Sequence, residues 1–422
     1  MKYGLLVVKD TENIGDDIQA YAARQFLPQV DYYVDREHLD TFASDDLEPV
    51  KVIMNGWYMD NKWNWPPSPV IDPLLISMHF QKEDLMGVNE LFLQGLGGEY
   101  FKKQAIVGCR DTETQAFLTE NGINAEFSGC LTLTLKPEFE RKVDKPYCCI
   151  TNCDTQIANY VKEQRPDLEV KIISQGGVID QTNTWEQRLN NAKKLLTVYQ
   201  NAEFVITTRL HCAMPCLALN TPVLFLKEDS IEEIGRFEGL SRLVYCESSE
   251  HFIKGSHVFD INNPPENKTD YLKIRESLIK KCKAFIGNEV TSSWKKEDIL
   301  KQFKENACWK DELLISVRKR NFQNYGDLYA GKQWLEEQWK SQKNRTDELE
   351  KWCKELNTGK KWLEEQWENQ KIRISDLEQH RDQLQGKLEA EKDTRKALEE
   401  QIALLKRNGF VKWLIKKKNL KL

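Results

Sequence analysis

The sequence predicts an α/β protein with two Rossmann-like domains facing a cleft, followed by a long α-helical coiled coil. Three observations lead to this prediction. Short apolar runs alternate with amphipathic segments up to about residue 290. This alternation breaks at the charged segment 137–146 and then restarts. From residue 335 onward, leucine recurs at intervals of seven residues.

The first predicted domain covers residues 1–140. Its apolar runs are short and bounded by polar or turn residues, which is typical of buried parallel strands. The predicted strands are Tyr3–Val8, Val52–Met54, Leu74–His79, Leu91–Leu93 and Ile106–Cys109. The amphipathic segments between them predict helices over Asp17–Phe26 and Thr112–Asn121.

The second predicted domain covers residues 145–290 and repeats the pattern. The predicted strands are Tyr147–Thr151, Val170–Ser174, Phe204–Thr207 and Val223–Leu226. The predicted helices are Thr155–Glu163, Trp185–Gln200, His211–Leu219 and Tyr271–Phe285. Strands that alternate with helices form parallel sheets, whose ligands bind at the carboxyl ends of the strands. Functional residues are therefore expected in the loops at those ends.

Residues 291–330 predict a helical linker, and residues 331–406 predict a coiled coil. With Leu335 at heptad position d, eight of the eleven d positions from 335 to 405 are leucine. The segment GKQWLEEQWK at 331–340 recurs as GKKWLEEQWE at 359–368, four heptads later. Leucine at d with polar residues at several a positions is typical of a self-associating helix. We expect a homo-oligomer, in the first instance a parallel dimer; a long single helix in solvent is the alternative.

The remaining segment, residues 407–422, forms a basic tail in which lysines are interleaved with bulky apolar residues such as Phe410 and Trp413. Such a segment suits the surface of an anionic membrane. A disordered, solubilising tail is the equally ranked alternative. The whole chain carries a net charge of −5, which gives no reason to expect nucleic-acid binding.

The composition also excludes some classes of protein. The longest mostly apolar stretch, 212–226, is broken by polar residues and prolines and is shorter than the roughly 18 residues of a membrane-spanning helix. The N-terminus does not have the pattern of a signal peptide, so eleven irregularly spaced cysteines predict reduced thiols in a cytoplasmic protein. Peripheral attachment to the inner membrane face would follow if the tail binds lipid.

Two loops carry the first candidate site residues. The loop after the first strand contains Asn13, Gly15 and Asp16, where glycine permits a close backbone approach to a ligand and the polar residues can cap a helix. The segment Thr-Thr-Arg-Leu-His, 207–211, follows a strand and opens a helix. There Arg209 and the helix N-terminus suit an anion, and His211 suits acid catalysis.

Three further loops add candidate substrate-binding residues. Arg110 follows a strand, and Gly176 and Gly177 follow another. Trp57 belongs to an aromatic loop whose indoles could stack on a sugar ring or pack against their own domain. Cys148, Cys149 and Cys153 lack a second matching cluster, and we expect no metal site.

The three segments Asn13–Asp16, Gly108–Thr114 and Thr207–His211 together resemble the polysaccharide pyruvyl transferase family. The resemblance covers about residues 1–290 and excludes the coiled coil. It implies two Rossmann-like domains arranged as in GT-B glycosyltransferases. It also implies transfer of a pyruvyl group from phosphoenolpyruvate to two sugar hydroxyls of a glycan or lipid-linked saccharide, as a ketal. No cofactor is implied, because phosphoenolpyruvate is a donor substrate.

The resemblance also implies roles for individual residues. His211 would protonate the methylene carbon of phosphoenolpyruvate or assist the departure of phosphate. Arg209 and Arg110 would hold the phosphate and carboxylate, and Asp16 would orient or deprotonate the acceptor hydroxyl. Two alternatives remain. A GT-B-type glycosyltransferase would bind the phosphate of a nucleotide-sugar donor at the helix that carries Arg209 and His211. A non-catalytic scaffold would act through its coiled coil and would not need these two residues.

Overall fold

The computed structural model describes residues 1–45, 47–58, 64–80, 88–137, 145–227, 237–255, 258–288, 295–328 and 332–407, together with residues 409 and 417. The chain divides into two compact units, Met1–Asn321 and Phe322–Leu422. The first unit contains both β-sheets and the candidate site. The second contains the long C-terminal helix.

The first sheet has six parallel strands. In spatial order they are Tyr32–Asp35 (β2), Lys2–Val7 (β1), Val50–Trp57 (β3), Ile71–His79 (β4), Val107–Cys109 (β5) and Ala125–Phe127 (β6). The central strands β3 and β4 are largely buried, because a parallel sheet is covered on both faces. All six carboxyl ends meet at one edge of the sheet.

The second sheet has five parallel strands. In spatial order they are Tyr245–Ser248 (β11), Val223–Lys227 (β10), Val205–Thr207 (β9), Tyr147–Thr151 (β7) and Glu169–Ile173 (β8). The two parallel sheets with their connecting helices confirm the predicted α/β class.

The helices connect and cover these strands. They are Ile14–Arg24 (α1), Val88–Leu93 (α2), Gly95–Lys102 (α3), Thr112–Glu120 (α4), Thr155–Gln164 (α5), Trp185–Asn201 (α6), Leu210–Ala218 (α7), Ser249–Ile253 (α8), Tyr271–Gly287 (α9), Lys296–Leu328 (α10) and Lys332–Arg407 (α11). One prediction was wrong: Leu91–Leu93 is not a strand but the end of α2. Strands β2, β6 and β11 were not predicted.

Helix α10 occupies most of the segment predicted as a linker, and its first part packs against the first sheet's core. Trp309 and Leu313 contact the buried cluster that contains Met54 and Phe92, and Lys310 forms an ion pair with Asp40. The compact first unit extends to Asn321 for this reason. Up to Asn321, this helix is therefore part of the first folded unit.

The C-terminal segment agrees with the prediction of a long helix. Helix α11 is 76 residues long and continuous, while most of the predicted basic tail lies outside the described residues. In the part of the chain that the structure describes, no helix combines the length and apolar character needed to cross a membrane. The described cysteines are all free thiols.

Candidate active site

The loop after β1 and the first turn of α1 form one side of the site. Asn13 caps α1, and its side chain accepts a hydrogen bond from the Gly15 amide at 3.0 Å. Asp16, in the same turn, accepts hydrogen bonds from Thr11 Oγ1 at 2.7 Å and from Gln19 Nε2 at 3.3 Å. This local network fixes the orientation of the Asp16 carboxylate at the carboxyl edge of the first sheet.

Two buried arginines lie at the same edge. Arg36 follows β2 and Arg110 follows β5, with only 3% and 5% of their surface exposed. Arg36 Nη1 lies 3.8 Å from Asp16 Oδ1. Burial alone would lower the pKa of Arg36, but the neighbouring carboxylates Asp16 and Glu37 raise it. The guanidinium is therefore held in its charged form by carboxylates that flank it.

The charge of Arg110 is balanced less completely by neighbouring carboxylates than the charge of Arg36. Burial lowers the pKa of its guanidinium, Asp111 and Asp16 oppose this shift, and Arg36 adds to it. Its Nε lies 3.6 Å from Asp111 Oδ2, too far for a normal hydrogen bond, and this buried atom has no hydrogen-bond partner. Asp16 and Arg36 both affect the pKa of Arg110, which indicates that the three charged groups lie near one another.

Unpaired polar atoms on β3 and β4 extend this site into the sheet. Asn55 Oδ1 and Ser77 Oγ are buried and make no hydrogen bond. Ser77 also has φ +54°, a left-handed conformation inside a strand. Buried polar atoms are nearly always satisfied, and strained non-glycine residues concentrate at functional sites. These two observations indicate a place where a ligand supplies the missing hydrogen bonds.

Asn55 is linked directly to the Asp16 network. Its Nδ2 donates to the Gln19 carbonyl oxygen at 3.2 Å, and the Gln19 side chain donates in turn to Asp16. Asn55 inside the sheet and the Asp16 carboxylate on α1 thus belong to one connected group.

His79 and Asp111 form a separate buried network beside Arg110. His79 Nδ1 lies 2.7 Å from Asp111 Oδ2 and 3.2 Å from Thr114 Oγ1. Asp111 also caps α4 by accepting from the Thr114 amide at 2.8 Å. Asp111 therefore has the structural role of a helix cap, and it also lies between the imidazole and the guanidinium.

The second side of the site comes from the start of α7. Arg209 is the N-cap residue of α7 and is exposed, and its amide donates to Thr207 Oγ1 at 2.9 Å. His211 lies in the first turn, is half-buried, and has φ −79° and ψ 15°, outside the helical region. A Cβ atom built at Gly15 would lie 3.0 Å from His211 Nδ1. The two motifs singled out in the sequence are therefore in contact.

Gln175 joins three of these loops. Its Nε2 donates to the His211 carbonyl oxygen at 3.2 Å and to Tyr199 Oη at 3.2 Å. Its own carbonyl oxygen accepts from the Ile14 amide at 2.9 Å. Gln175 is 1% exposed, so the loop after β8 is held firmly against both α1 and α7.

The structure does not bring all the predicted residues together. Gly176 and Gly177 border the α1 loop, since the Gly177 amide donates to the Glu12 carbonyl oxygen at 2.9 Å. Both glycines are exposed, and an added Cβ would meet only open space. Trp57 is half-buried, with its Nε1 buried and unpaired.

The rest of the aromatic loop packs inside its own domain. Trp65 is fully buried and stacks on Phe101 at a centroid distance of 4.7 Å, and Tyr58 stacks on Phe80 at 5.8 Å. Trp63 lies outside the described residues. Of the described aromatic residues in this loop, Trp57 is the one that is not fully buried, and it ends β3 at the carboxyl edge of the sheet.

Sequence reasoning missed Arg36, Asn55 and Ser77. Arg36 follows the half-exposed edge strand β2, which has no long apolar run to reveal it. Asn55 and Ser77 lie inside strands, and only tertiary packing leaves their oxygens without partners. Among the described residues, no group of three or more His, Cys, Asp or Glu side chains could hold a metal ion.

Comparison with protein families finds one match. Residues 87–230 match the family model described as polysaccharide pyruvyl transferase. The predicted resemblance is confirmed over these residues, which include Arg110, Arg209 and His211. The Asn13–Asp16 loop lies before the matched segment. A comparison with curated proteins gives no match.

Three solved structures show distant similarity to this chain. A functionally uncharacterized protein, KP1_0663 of Klebsiella pneumoniae, is 15% identical with a TM-score of 0.33, over 56% of this chain and 87% of that one. MnaA of S. aureus in complex with UDP is 10% identical with a TM-score of 0.38, over 70% of this chain and 100% of that one. The calicheamicin glycosyltransferase CalG4 is 14% identical with a TM-score of 0.24, over 56% and 65%. At these scores, the similarities support no functional inference.

Proposed function

We propose that this protein transfers a pyruvyl group from phosphoenolpyruvate to two hydroxyls of a glycan sugar, forming a ketal in the synthesis of a cell-surface polysaccharide. The family match over residues 87–230 supports a transferase that modifies a polysaccharide. The proposal goes beyond this match in three points: the donor, the ketal product and a GT-B-like placement of the two sheets.

The observation that carries the proposal is the pair of buried arginines at the carboxyl edge of the first sheet. Phosphoenolpyruvate has a phosphate and a carboxylate, and a guanidinium binds either group through two parallel hydrogen bonds. Arg110 is 5% exposed and its Nε has no hydrogen-bond partner. An anion bound there would supply the partner that the protein does not.

The unpaired oxygens deeper in the site suit the same ligand complex. Asn55 Oδ1 can only accept a hydrogen bond, whereas the Ser77 hydroxyl can also donate one. A sugar hydroxyl satisfies the first, and an anionic oxygen or a hydroxyl satisfies the second. The mixture of buried cations and neutral oxygens therefore fits an anionic donor beside a polyhydroxylated acceptor.

The proposed reaction needs a proton at carbon 3 of phosphoenolpyruvate and two new bonds at carbon 2. His211 is assigned the acid role, because it borders the Gly15 turn at the start of α1. Two sugar oxygens bond to carbon 2 as the bond to the phosphate oxygen breaks. Of the two hydroxyl protons, one balances the proton added to the methyl group and the other leaves with phosphate. Asp16, fixed by Thr11 and Gln19, is assigned the base role.

Arg209 is assigned to the initial binding of phosphoenolpyruvate and has no assigned role in the bond-making steps. Its amide is fixed by Thr207, while the side chain is exposed and able to move onto an arriving anion. Gly177 and Trp57 would border the acceptor, where an open surface and an indole face suit a sugar chain. We expect this reaction to take place in the cytoplasm, at the inner membrane face if the basic tail binds lipid.

The test is thermal protection combined with product analysis. A ligand that binds only the folded state raises the melting temperature by mass action. We expect millimolar phosphoenolpyruvate to raise the melting temperature of the full chain, and phosphate to be released when cell glycans are added. Arg110→Lys should lose most of the protection. Arg165→Lys should keep it, because Arg165 pairs with Asp167 in the loop between α5 and β8.

Two results would contradict the proposal. A shift produced by nucleotide-sugars and not by phosphoenolpyruvate would favour a glycosyltransferase. An absence of any shift, with normal cellular function in the Arg209→Ala and His211→Ala variants, would favour a scaffold that works through its C-terminal helix.

A further inference from the structure

Helix α11 carries an unpartnered apolar stripe along its described C-terminal half. With Leu335 at d, the a and d positions contain side chains that are between 36% and 62% exposed. They are Trp367, Ile374, Leu377, Leu384, Leu388, Leu398 and Ile402. Among the side chains of this helix that the structure describes, the exposed large apolar residues outside these positions are Ile372 and Leu404. A stripe this narrow and regular is the seam of a coiled coil.

From this stripe and from the charges beside it, we infer that a second copy of the chain covers the C-terminal half of α11 in antiparallel orientation. The helix has 76 residues and is about 110 Å long at 1.5 Å per residue. An isolated helix gains little stability from propensity alone and depends on packing of its apolar face. A second copy presents the same stripe, so each copy can bury the other's seam.

A parallel dimer in register is disfavoured by charges within the seam. In that orientation each a or d residue faces its own copy. Arg381 would then face Arg381, Glu391 would face Glu391, and Arg395 would face Arg395. Outside the seam, Arg373 would gain the partner's Glu378, but Lys387 would face the partner's Lys392. The sequence pattern alone had suggested a parallel dimer, and the charge distribution favours the opposite orientation.

An antiparallel dimer removes most of these conflicts in one particular register. There, position a of one copy faces position d of the other, and Arg381 can be set opposite the partner's Glu391. The same register sets Leu384 opposite the partner's Leu388 and Ile374 opposite the partner's Leu398. The seam therefore contains these two fully apolar layers beside the ion pair. Arg395 no longer faces its own copy and falls opposite the partner's Leu377, and Ile402 falls opposite the partner's Gln370.

The flanking e positions independently favour the same register. In an antiparallel pair, residues at e face e of the partner. Lys371 then faces the partner's Glu399, and Glu378 faces the partner's Lys392, so both contacts join opposite charges. A shift by one heptad would set Lys371 opposite the partner's Lys392. One repulsion remains, since Lys387 at position g faces its own copy.

Within one chain, three of these charged residues have exposed local partners. Lys371 Nζ donates to Glu368 Oε1 at 2.7 Å, Arg381 Nη2 to Asp382 Oδ1 at 2.8 Å, and Arg395 Nε to Glu399 Oε1 at 3.0 Å. Exposed pairs of this kind contribute little to stability. Exchanging them for contacts between copies therefore costs little.

The test is site-specific disulfide formation in the full chain, with Cys308 and Cys353 replaced by serine. The proposal predicts that a mixture of Ile374→Cys and Leu398→Cys chains, carrying tags of different size, forms a mixed disulfide dimer. It also predicts that Ile374→Cys alone does not, because the two copies of residue 374 would be about 36 Å apart along the helix. Cross-linking of Ile374→Cys to itself would establish the parallel orientation and overturn the proposal.

A charge exchange gives a second test that does not depend on cysteine chemistry. Arg381→Glu should weaken dimerisation by at least about fivefold, because two copies of the contact are lost in each dimer. Adding Glu391→Arg should restore it, which a parallel dimer would not predict. Light scattering reports the mass, and circular dichroism checks that each variant stays helical. A monomer or a four-copy assembly for the unsubstituted chain would also overturn the proposal.

Discussion

Gly15 and His211 lie in contact, although one opens α1 beside the first sheet and the other opens α7 beside the second. A Cβ atom built at Gly15 would be 3.0 Å from His211 Nδ1 and 3.1 Å from His211 Cβ. Such distances are tighter than most real contacts, so the neighbour must move if a side chain is added. The absence of a side chain at Gly15 therefore determines where the imidazole sits relative to the Asp16 turn.

Replacing Gly15 by alanine should displace His211. We expect Gly15→Ala to reduce kcat by about tenfold or more, because misplacement of a catalytic group by a fraction of an ångström is costly. The melting temperature should fall only slightly, since Gly15 lies in the first turn of α1 and has no left-handed backbone. Steady-state kinetics with phosphoenolpyruvate and thermal unfolding measure the two effects.

Gly287→Ala is the matched control for that variant. Gly287 lies in the last turn of α9, and an added Cβ there meets nothing within 4 Å. Its activity should equal that of the unsubstituted chain. Equal kcat values for Gly15→Ala and the unsubstituted chain would remove His211 from the acid role.

Replacing either buried arginine of the site by lysine should weaken the binding of phosphoenolpyruvate. A lysine keeps the charge but cannot make two parallel hydrogen bonds to a phosphate or carboxylate. We expect Arg110→Lys and Arg36→Lys each to raise the KM for phosphoenolpyruvate by about tenfold or more. Arg165→Lys serves as the control, because Arg165 pairs with Asp167 at the C-terminal end of α5. Isothermal titration with phosphoenolpyruvate would check binding directly, and unchanged affinity in both site variants would contradict donor binding here.

Much of the fold was predictable because apolar runs reveal buried strands. Strand β7 was predicted over Tyr147–Thr151, as observed, and α5 and α6 were predicted to within one residue at either end. The edge strands β2 and β11 were missed because most or all of their residues are only half-buried. A short apolar run such as Leu91–Leu93 is ambiguous between strand and helix, and it ends a helix here.

The candidate site was predictable only in part, for a related reason. Loops that follow strongly apolar strands could be found from the sequence, and these gave Asp16, Arg110 and His211. Arg36 follows the weakly apolar strand β2, so no signal pointed to it. Gln175 was noticed only as a neighbour of two glycines, yet its contacts with the His211 carbonyl and the Ile14 amide join three loops.

The ion pair between Asp17 and Arg188 should be essential to the stability of the first unit. Both side chains are about 4% exposed, and Arg188 donates to both Asp17 oxygens, at 3.1 and 2.7 Å. Arg188 also donates to the Val8 and Lys9 carbonyl oxygens. Removing one partner leaves an uncompensated buried charge, so we expect Asp17→Asn to lower the free energy of unfolding by about 3 kcal/mol or more.

The double variant Asp17→Leu with Arg188→Met measures how much of the stability depends on the interaction between the two side chains. The double variant should lose less stability than Asp17→Leu and Arg188→Met lose in sum, because no lone charge remains buried in it. Urea unfolding followed by circular dichroism measures all four proteins. Strictly additive losses would mean that the two side chains do not act as a pair.

Helix α10 should stabilise the first unit through Trp309. The Trp309 indole packs so closely against Gly95 that a Cβ atom built on Gly95 would lie 2.3 Å from Trp309 Nε1. The indole also packs against the buried cluster of the first sheet. We expect Trp309→Ala to lower the free energy of unfolding of the first unit by about 2–4 kcal/mol. The exposed Trp367 on α11 gives the matched control, and Trp367→Ala should leave that unfolding transition unchanged. A chain ending at Thr291 should be destabilised in the same way.

The basic tail should bind anionic membranes through its lysines. Residues 408–422 contain five lysines and no acidic residue, and a basic residue near an anionic surface contributes about 1 kcal/mol. We expect the full chain to bind liposomes that contain anionic lipid more tightly than neutral ones. A chain ending at Arg407 should lose this preference.

Replacing the five lysines by glutamine keeps the tail's length and its apolar residues, so this variant isolates the effect of the charge. Salt should weaken binding of the full chain. Equal binding of the full chain and the glutamine variant to both kinds of liposome would show that the tail's charge plays no part in membrane attachment.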